Sequence, residues 1–251
     1  MGRGSQATLI AAAVQMPANL AFVMNLYLVA PKAGLRKEIA VSNLDPKERM
    51  RFKTFTGGPY ETNCFAAETP GGLVLFDAPE GADQAFAGKK VGMLVLTHGH
   101  WDHVTDAAAI CERHGCPLLC HADTVPMVSE EDFFVRQGFP FRTRAARVTG
   151  TLSEGRSQDF LGWTLDVLEV PGHCPGSLCF HSRGDGVLVG GDVLFRAGVG
   201  RWDLPGGDAD LLRRGIREKI FVLPDSTVVL PGHGPSTTVG EEKAANPFVR
   251  A

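Results

Sequence analysis

From position 51 onward the chain alternates short apolar runs with Gly, Pro and Asp breaks, a pattern that predicts strands and helices joined by tight turns. Residues 51–56 alternate with the two-residue period of a strand. Residues 63–68 and 72–77 flank Thr69-Pro70-Gly71 and predict a hairpin. Residues 91–97 form an apolar run ending in a polar cluster, as expected of a buried strand that delivers side chains to its C-terminal loop. Residues 104–114 predict a helix stopped by Gly115, and 117–121 another strand. Residues 164–170 predict a strand stopped by Pro171-Gly172, and 177–181 with 186–190 a second hairpin around Arg183-Gly184-Asp185. Residues 208–220 are amphipathic with Asp208 as N-cap, and 227–230 are a last strand before Pro231-Gly232. Hairpins within an alternating α/β pattern predict mixed rather than purely parallel sheets.

Residues 1–49 read differently. Positions 4–31 carry no charge, a length that would permit a membrane span. Gln15, Pro17, Asn19 and Asn25 interrupt the run at its centre, and the segment lacks the basic start and small-residue cleavage site of a secretory signal. Residues 1–49 are therefore expected to be an N-terminal extension, poorly ordered or outside the core. Strand-like sequence begins directly after Met50, so 50–251 is expected to be the functional domain.

Composition narrows the class. Of 251 residues, 44% are hydrophobic and 21% charged, which excludes collagen, coiled coil and wholesale disorder. A formal charge of −3 argues against a nucleic-acid partner, and membrane association is disfavoured. The six cysteines form no Cys-x-x-Cys pair, and reduced thiols in a cytoplasmic protein are the simplest reading. Thirty glycines predict a loop-rich chain whose function sits in the loops.

The chemistry concentrates in four loops. Thr97-His98-Gly99-His100-Trp101-Asp102-His103 lies between a predicted strand and a helix. Alternate residues of an extended segment face one side, so His98 and His100 can converge on one metal. Asp102 and His103 follow where the chain turns into the helix and can face a second metal. Three more strands run through glycine into a ligand-type residue, at Gly172-His173, Gly191-Asp192 and Gly232-His233. A carboxylate such as Asp192 can bridge two cations while neutral imidazoles fill the other positions. His114, His121 and His181 lie outside this pattern and read as helix-end or strand residues.

On these residues the chain resembles the metallo-β-lactamase superfamily, and within it the short members of the glyoxalase II, or hydroxyacylglutathione hydrolase, group. Thr62-Asn63-Cys64, His98 to His103, Gly172-His173-Cys174-Pro175-Gly176-Ser177, Gly190-Gly191-Asp192, Gly200-Arg201-Trp202-Asp203 and Gly232-His233-Gly234-Pro235 carry the resemblance. It implies an α/β, four-layer αββα sandwich with the site at one edge of two sheets. It also implies that His98, His100 and His173 hold one metal, that Asp102, His103 and His233 hold the other, and that Asp192 bridges them. Two divalent ions are implied, zinc first, with iron or manganese as alternatives. Where the family commonly has Thr after the third-loop His, this chain has Cys174, read as a packed thiol.

The resemblance implies hydrolysis of a small-molecule thioester, a hydroxyacyl-glutathione such as S-lactoylglutathione, by a metal-bridging hydroxide. Asp102 would help to orient that nucleophile. Arg142 and Arg144, set among phenylalanines between the two halves, are candidate partners for glutathione carboxylates, against a plain solvated basic face. A persulfide dioxygenase with one iron and a lactonase are the rival activities on the same fold, and a non-catalytic binding module is the rival of another class.

Overall fold

The computed structural model describes residues 50–251 and the backbone of 34–39. The readings of 1–33 and 40–49 as extension, anchor or signal lie outside the described residues. The first sheet takes its strands in chain order: β1 (Gly34–Ile39), β2 (Phe52–Gly57), β3 (Thr62–Thr69), β4 (Gly72–Phe76), β5 (Val91–Val95), β6 (Leu118–His121) and β7 (Gly150–Leu152). Pairing is antiparallel from β1 to β4 and parallel from β4 to β7. The second sheet contains β8 (Gly155–Phe160), β9 (Trp163–Glu169), β10 (Leu178–Ser182) and β11 (Val187–Gly191). A short ribbon, β12 (Leu194–Phe195) with β13 (Gly198–Val199), precedes its last strands, β14 (Val228–Pro231) and β15 (Thr237–Thr238). The order across this sheet is β15-β14-β11-β10-β9-β8.

Strand alternation explains the layering. Phe65 and Ala67 of β3 join Phe76, Val95, Phe180, Val187, Val189 and Leu230 in a core between the two sheets. The intervening Cys64 and Ala66 face the other way, packing with Phe86, Ala107 and Ile110. On the second sheet Cys179, Leu188 and Val229 pack outward against Leu212, Ile216 and Ile220. Successive strand side chains point to opposite faces, so two apolar faces per sheet require helices outside both. The result is the expected αββα sandwich.

The predicted 104–114 helix is two helices, Trp101–Val104 and Ala107–His114. Asp106 breaks it, because its carboxylate accepts from Gly81 N at 2.9 Å and Asp83 N at 3.0 Å, at the start of the helix Ala82–Phe86. Asp208 does cap its helix, accepting from Leu211 N at 2.8 Å, but after Ala209–Gly215 the chain opens into a π-type turn at Ile216–Ile220. Strand β8 (Gly-Arg-Ser-Gln-Asp-Phe) has no apolar alternation because it is the sheet edge, mostly in water. All six cysteines are free thiols. Among the described residues no helix is long and apolar enough to cross a membrane.

Candidate metal centre

β9 and β11 each run antiparallel to β10, and β14 runs parallel to β11, so the C-terminal ends of all three open on one edge. That edge carries His173, Asp192 and His233. The loop after β5 meets it through Leu178 N, which donates to Thr97 O at 2.8 Å. His98 and His100 sit on this loop, while Asp102 and His103 lie in the following helix. A close approach completes the site: a Cβ on Gly232 would lie 2.1 Å from Asp192 Oδ1 and 2.7 Å from His103 Cε1. At Gly99, in contrast, the missing side chain makes room for Met127, whose Sδ would be 2.4 Å from a Cβ.

Seven side chains converge. His100 Nδ1 is 2.8 Å from His173 Nε2, which is 3.3 Å from His98 Nε2. His103 Nε2 and His233 Nε2 are 3.3 Å apart, and Asp102 Oδ2 lies 3.3 Å from His233 Nε2. Asp192 stands between the two sets, with Oδ2 at 3.4 Å from His173 Nε2 and 3.3 Å from His233 Nε2. Within each of three sets, His98–His100–His173, His98–His103–Asp192 and Asp102–His103–His233, the ligand atoms lie within 4.8 Å of one another.

The outer hydrogen bonds settle which ring atoms face inward. His173 Nδ1 donates to Arg201 O at 2.7 Å, and His233 Nδ1 to Tyr60 O at 3.0 Å. His103 Nδ1 meets Asp77 Oδ2 at 2.9 Å. Thr97 Oγ1 donates to Asp77 Oδ2 at 2.8 Å, so it accepts from His98 Nδ1 at 3.1 Å. Each outer acceptor holds the proton on Nδ1, and four Nε2 atoms point at one another and at two carboxylates. Asp192 Oδ1 is buried with no hydrogen-bond partner. Ring nitrogens and carboxylates turned toward one another in this way could hold cations, and the N/O donor set suits divalent transition metals.

Electrostatics agree. Burial pushes His98 and His173 below the usual imidazole range and His100 down to about 3, which keeps them neutral donors. Burial acts the same way on His103 and His233, but the facing carboxylates outweigh it, holding His103 well above the usual range and His233 at about 9. Burial would raise the carboxyls of Asp102 and Asp192, yet the imidazoles around them hold both below the ordinary range. Asp102 is anchored by Thr62 Oγ1, which donates to Oδ2 at 2.7 Å.

Residues 57–233 match the family model described as the metallo-beta-lactamase superfamily. The chain belongs to the metallo-β-lactamase superfamily. Among its relatives is a probable metallo-hydrolase, YqgX, of Bacillus subtilis, 31% identical over 80% of this chain and 98% of its own length. The hydroxyacylglutathione hydrolase GloC of Haemophilus influenzae is 33% identical over 63% of this chain and 76% of its own. Two crystal structures share the fold at 33% identity. One is the BLEG-1 B3 metallo-beta-lactamase, with a TM-score of 0.73 over 80% of this chain and 100% of that one. The other is TTHA1623 in a di-iron-bound form, with a TM-score of 0.68 over 77% and 98%. Family and site together indicate a metal-dependent hydrolase.

Other sequence-predicted residues of this metallo-β-lactamase superfamily member fall elsewhere. His114, His121 and His181 are in none of the three sets. Arg144 pairs with Glu112 at 2.6 Å on the surface, Arg142 is exposed, and neither lines the recess beside His100. Cys174 is fully buried with Sγ 3.8 Å from Met127 Sδ, a packed thiol that burial pushes up to about 12. Sequence reasoning missed Asp77 and Thr97, which orient two of the imidazoles, and the clamp made by Asn63. The Asn63 side chain donates to Pro231 O and Gly234 O, both at 3.0 Å, bracketing His233. Asp77 had a signal, a carboxylate closing an apolar run, but without the neighbouring ligands in view it reads only as the last residue of the 72–77 strand.

Proposed function

We propose that this protein is a dinuclear metal-dependent thioester hydrolase, with a hydroxyacyl-glutathione as substrate class. The observation that carries it is the run of three overlapping sets of ligand-type atoms, with Asp192 Oδ2 facing both His173 and His233. His98, His100 and His173 would hold one ion, Asp102, His103 and His233 the other, and Asp192 would bridge. Zinc is the first candidate, and the di-iron form of the structural neighbour makes iron the next. When bound, the pair supplies hydroxide near neutral pH and a Lewis acid for the substrate carbonyl.

The chain's own residues do the rest. Asp77, Thr97, Tyr60 and Arg201 hold four imidazoles in the tautomer that turns Nε2 inward. Thr62 fixes Asp102 at the position from which it orients the nucleophile. No protein acid is assigned to the leaving group, because a thiol with pKa near 8.5 departs as thiolate without one. The kinship with GloC supports the thioester, which a lactam or lactone substrate would not require.

The test is purified protein of known metal content given S-lactoylglutathione while thiol release is followed, with a parallel sample given glutathione persulfide while oxygen uptake is followed. Thiol release at about two metals per chain supports the proposal. Oxygen uptake with a single iron would overturn it.

A further inference from the structure

Beside His100 lies a recess of about 220 Å³. Trp101, Met127, Phe134, Phe139, Pro175 and Leu204 line it. Among the described residues, its lining is apolar apart from His100, Gln137 and the indole N–H of Trp101, and it includes no Lys, Arg, Asp or Glu. The Trp101 ring lies 5.0 Å from Phe139 and 5.8 Å from both Phe134 and His100, centroid to centroid. Trp101 and Phe139 remain only partly buried, so apolar wall is left in water next to the candidate metal centre. Covering such surface is worth about 25 cal/mol per Å².

Size and charge together identify what fits. An apolar cavity of about 150 Å³ takes up benzene, so this recess accommodates a phenyl ring with a linking carbon or two. A lactoyl group would leave much of it empty and bring a hydroxyl to a wall with one amide partner. The charged peptide of glutathione does not fit either, because nothing in the lining pairs with carboxylates. Arg136 pairs with Glu130 and Asp132, Arg144 with Glu112 and Arg201 with Asp203, while Arg142 is exposed and outside the lining.

We infer that the recess is an acyl-side subsite, selecting an apolar acyl group of about phenylacetyl size over the short polar lactoyl group. This rests on the thioesterase reading and replaces its hydroxyacyl group with an apolar acyl group. Because His100 lines the recess and belongs to the first ligand set, a ring seated there leaves its carbonyl adjacent to the cluster. The thiol carrier then lies outside the recess, towards solvent.

The test compares S-phenylacetylglutathione with S-lactoylglutathione, which share a carrier, on the metal-loaded enzyme. The ratio of kcat/KM should favour phenylacetyl by about tenfold or more, and Phe139→Ala should cut that ratio by about tenfold. Calorimetric binding of phenylacetate against lactate gives a readout without turnover, with phenylacetate tighter and its advantage lost in Phe139→Ala. Equal or greater preference for lactoyl and lactate overturns the subsite while the thioesterase reading stands. Preferential, Phe139-dependent binding of phenylacetate with neither thioester cleaved supports the subsite and overturns the thioesterase reading.

Discussion

Asp77 Oδ2 and His103 Nδ1 meet at 2.9 Å, with both side chains withdrawn from water. The same carboxylate accepts from Thr97 N and Thr97 Oγ1, each at 2.8 Å, and Thr97 in turn fixes His98. One residue that does not itself face the cluster therefore orients imidazoles in both proposed ligand sets.

Replacing it should loosen the metals while sparing the fold. Asp77 has a φ of 64°, which Asn tolerates as well as Asp, so Asp77→Asn keeps the backbone but turns an acceptor into a donor on one side. Metal affinity should fall by about 10–100-fold, read by competition with a chromophoric chelator. Wild-type affinity in this variant would remove Asp77 from the account.

Gly232→Ala tests the close approach of the last loop. The added methyl would collide with Asp192 Oδ1 and the His103 ring, so either the loop or both ligands must move. We expect fewer than two metals per chain by elemental analysis and a loss of hydrolysis of at least about 100-fold, the scale on which misplacement of about 1 Å acts. Full occupancy with full activity would show that the loop gives way harmlessly.

Stripping the metals should destabilise the protein. Without cations, Asp102 and Asp192 lie together among inward-facing ring nitrogens, facing His103 and His233, with Thr62 Oγ1 donating to Asp102. Ligand at about 100 times its Kd adds about 2.7 kcal/mol, so chelation should lower Tm by about 5–10 °C at this chain length. Added zinc should restore it in differential scanning calorimetry. A Tm indifferent to chelator would mean that the site is not loaded in the folded protein.

Away from the site, Asp83 should make stability depend on acid pH. Arg113 grips it through Nε at 2.6 Å and Nη2 at 2.5 Å, and this pairing holds its carboxyl below the ordinary range. The unfolded chain then binds that proton more readily than the folded one. The stabilisation is complete above the ordinary carboxylate pKa of about 3.9 and drains away as pH falls through the folded value. Asp83→Asn should lower Tm at pH 7, with the gap to wild type closing below about pH 4. A gap that stays constant across this range would assign the effect to packing rather than to charge.

Much of the architecture is local and therefore readable along the chain. A strand buried on both faces needs an apolar run, and a strand that ends at glycine before a His or Asp announces a ligand-bearing loop, as at Gly172-His173 and Gly232-His233. Edge strand β8 escaped because a strand mostly in water needs no apolar face. The helix break at Asp106 escaped because its cause, amides at Gly81 and Asp83, lies more than 20 positions away.

By itself the sequence determined which residues could ligate and on which loops they ride, because periodicity and turn chemistry act over a few residues. Tertiary structure alone decided that His103 and His233, 130 positions apart, would come within 3.3 Å, that Asp77 would stand behind the ligands, and that Arg144 would turn away to Glu112. Those outcomes depend on sheet order and on how two apolar faces close over a shared core. Such contacts join segments distant in the chain and leave no mark in the spacing of either one.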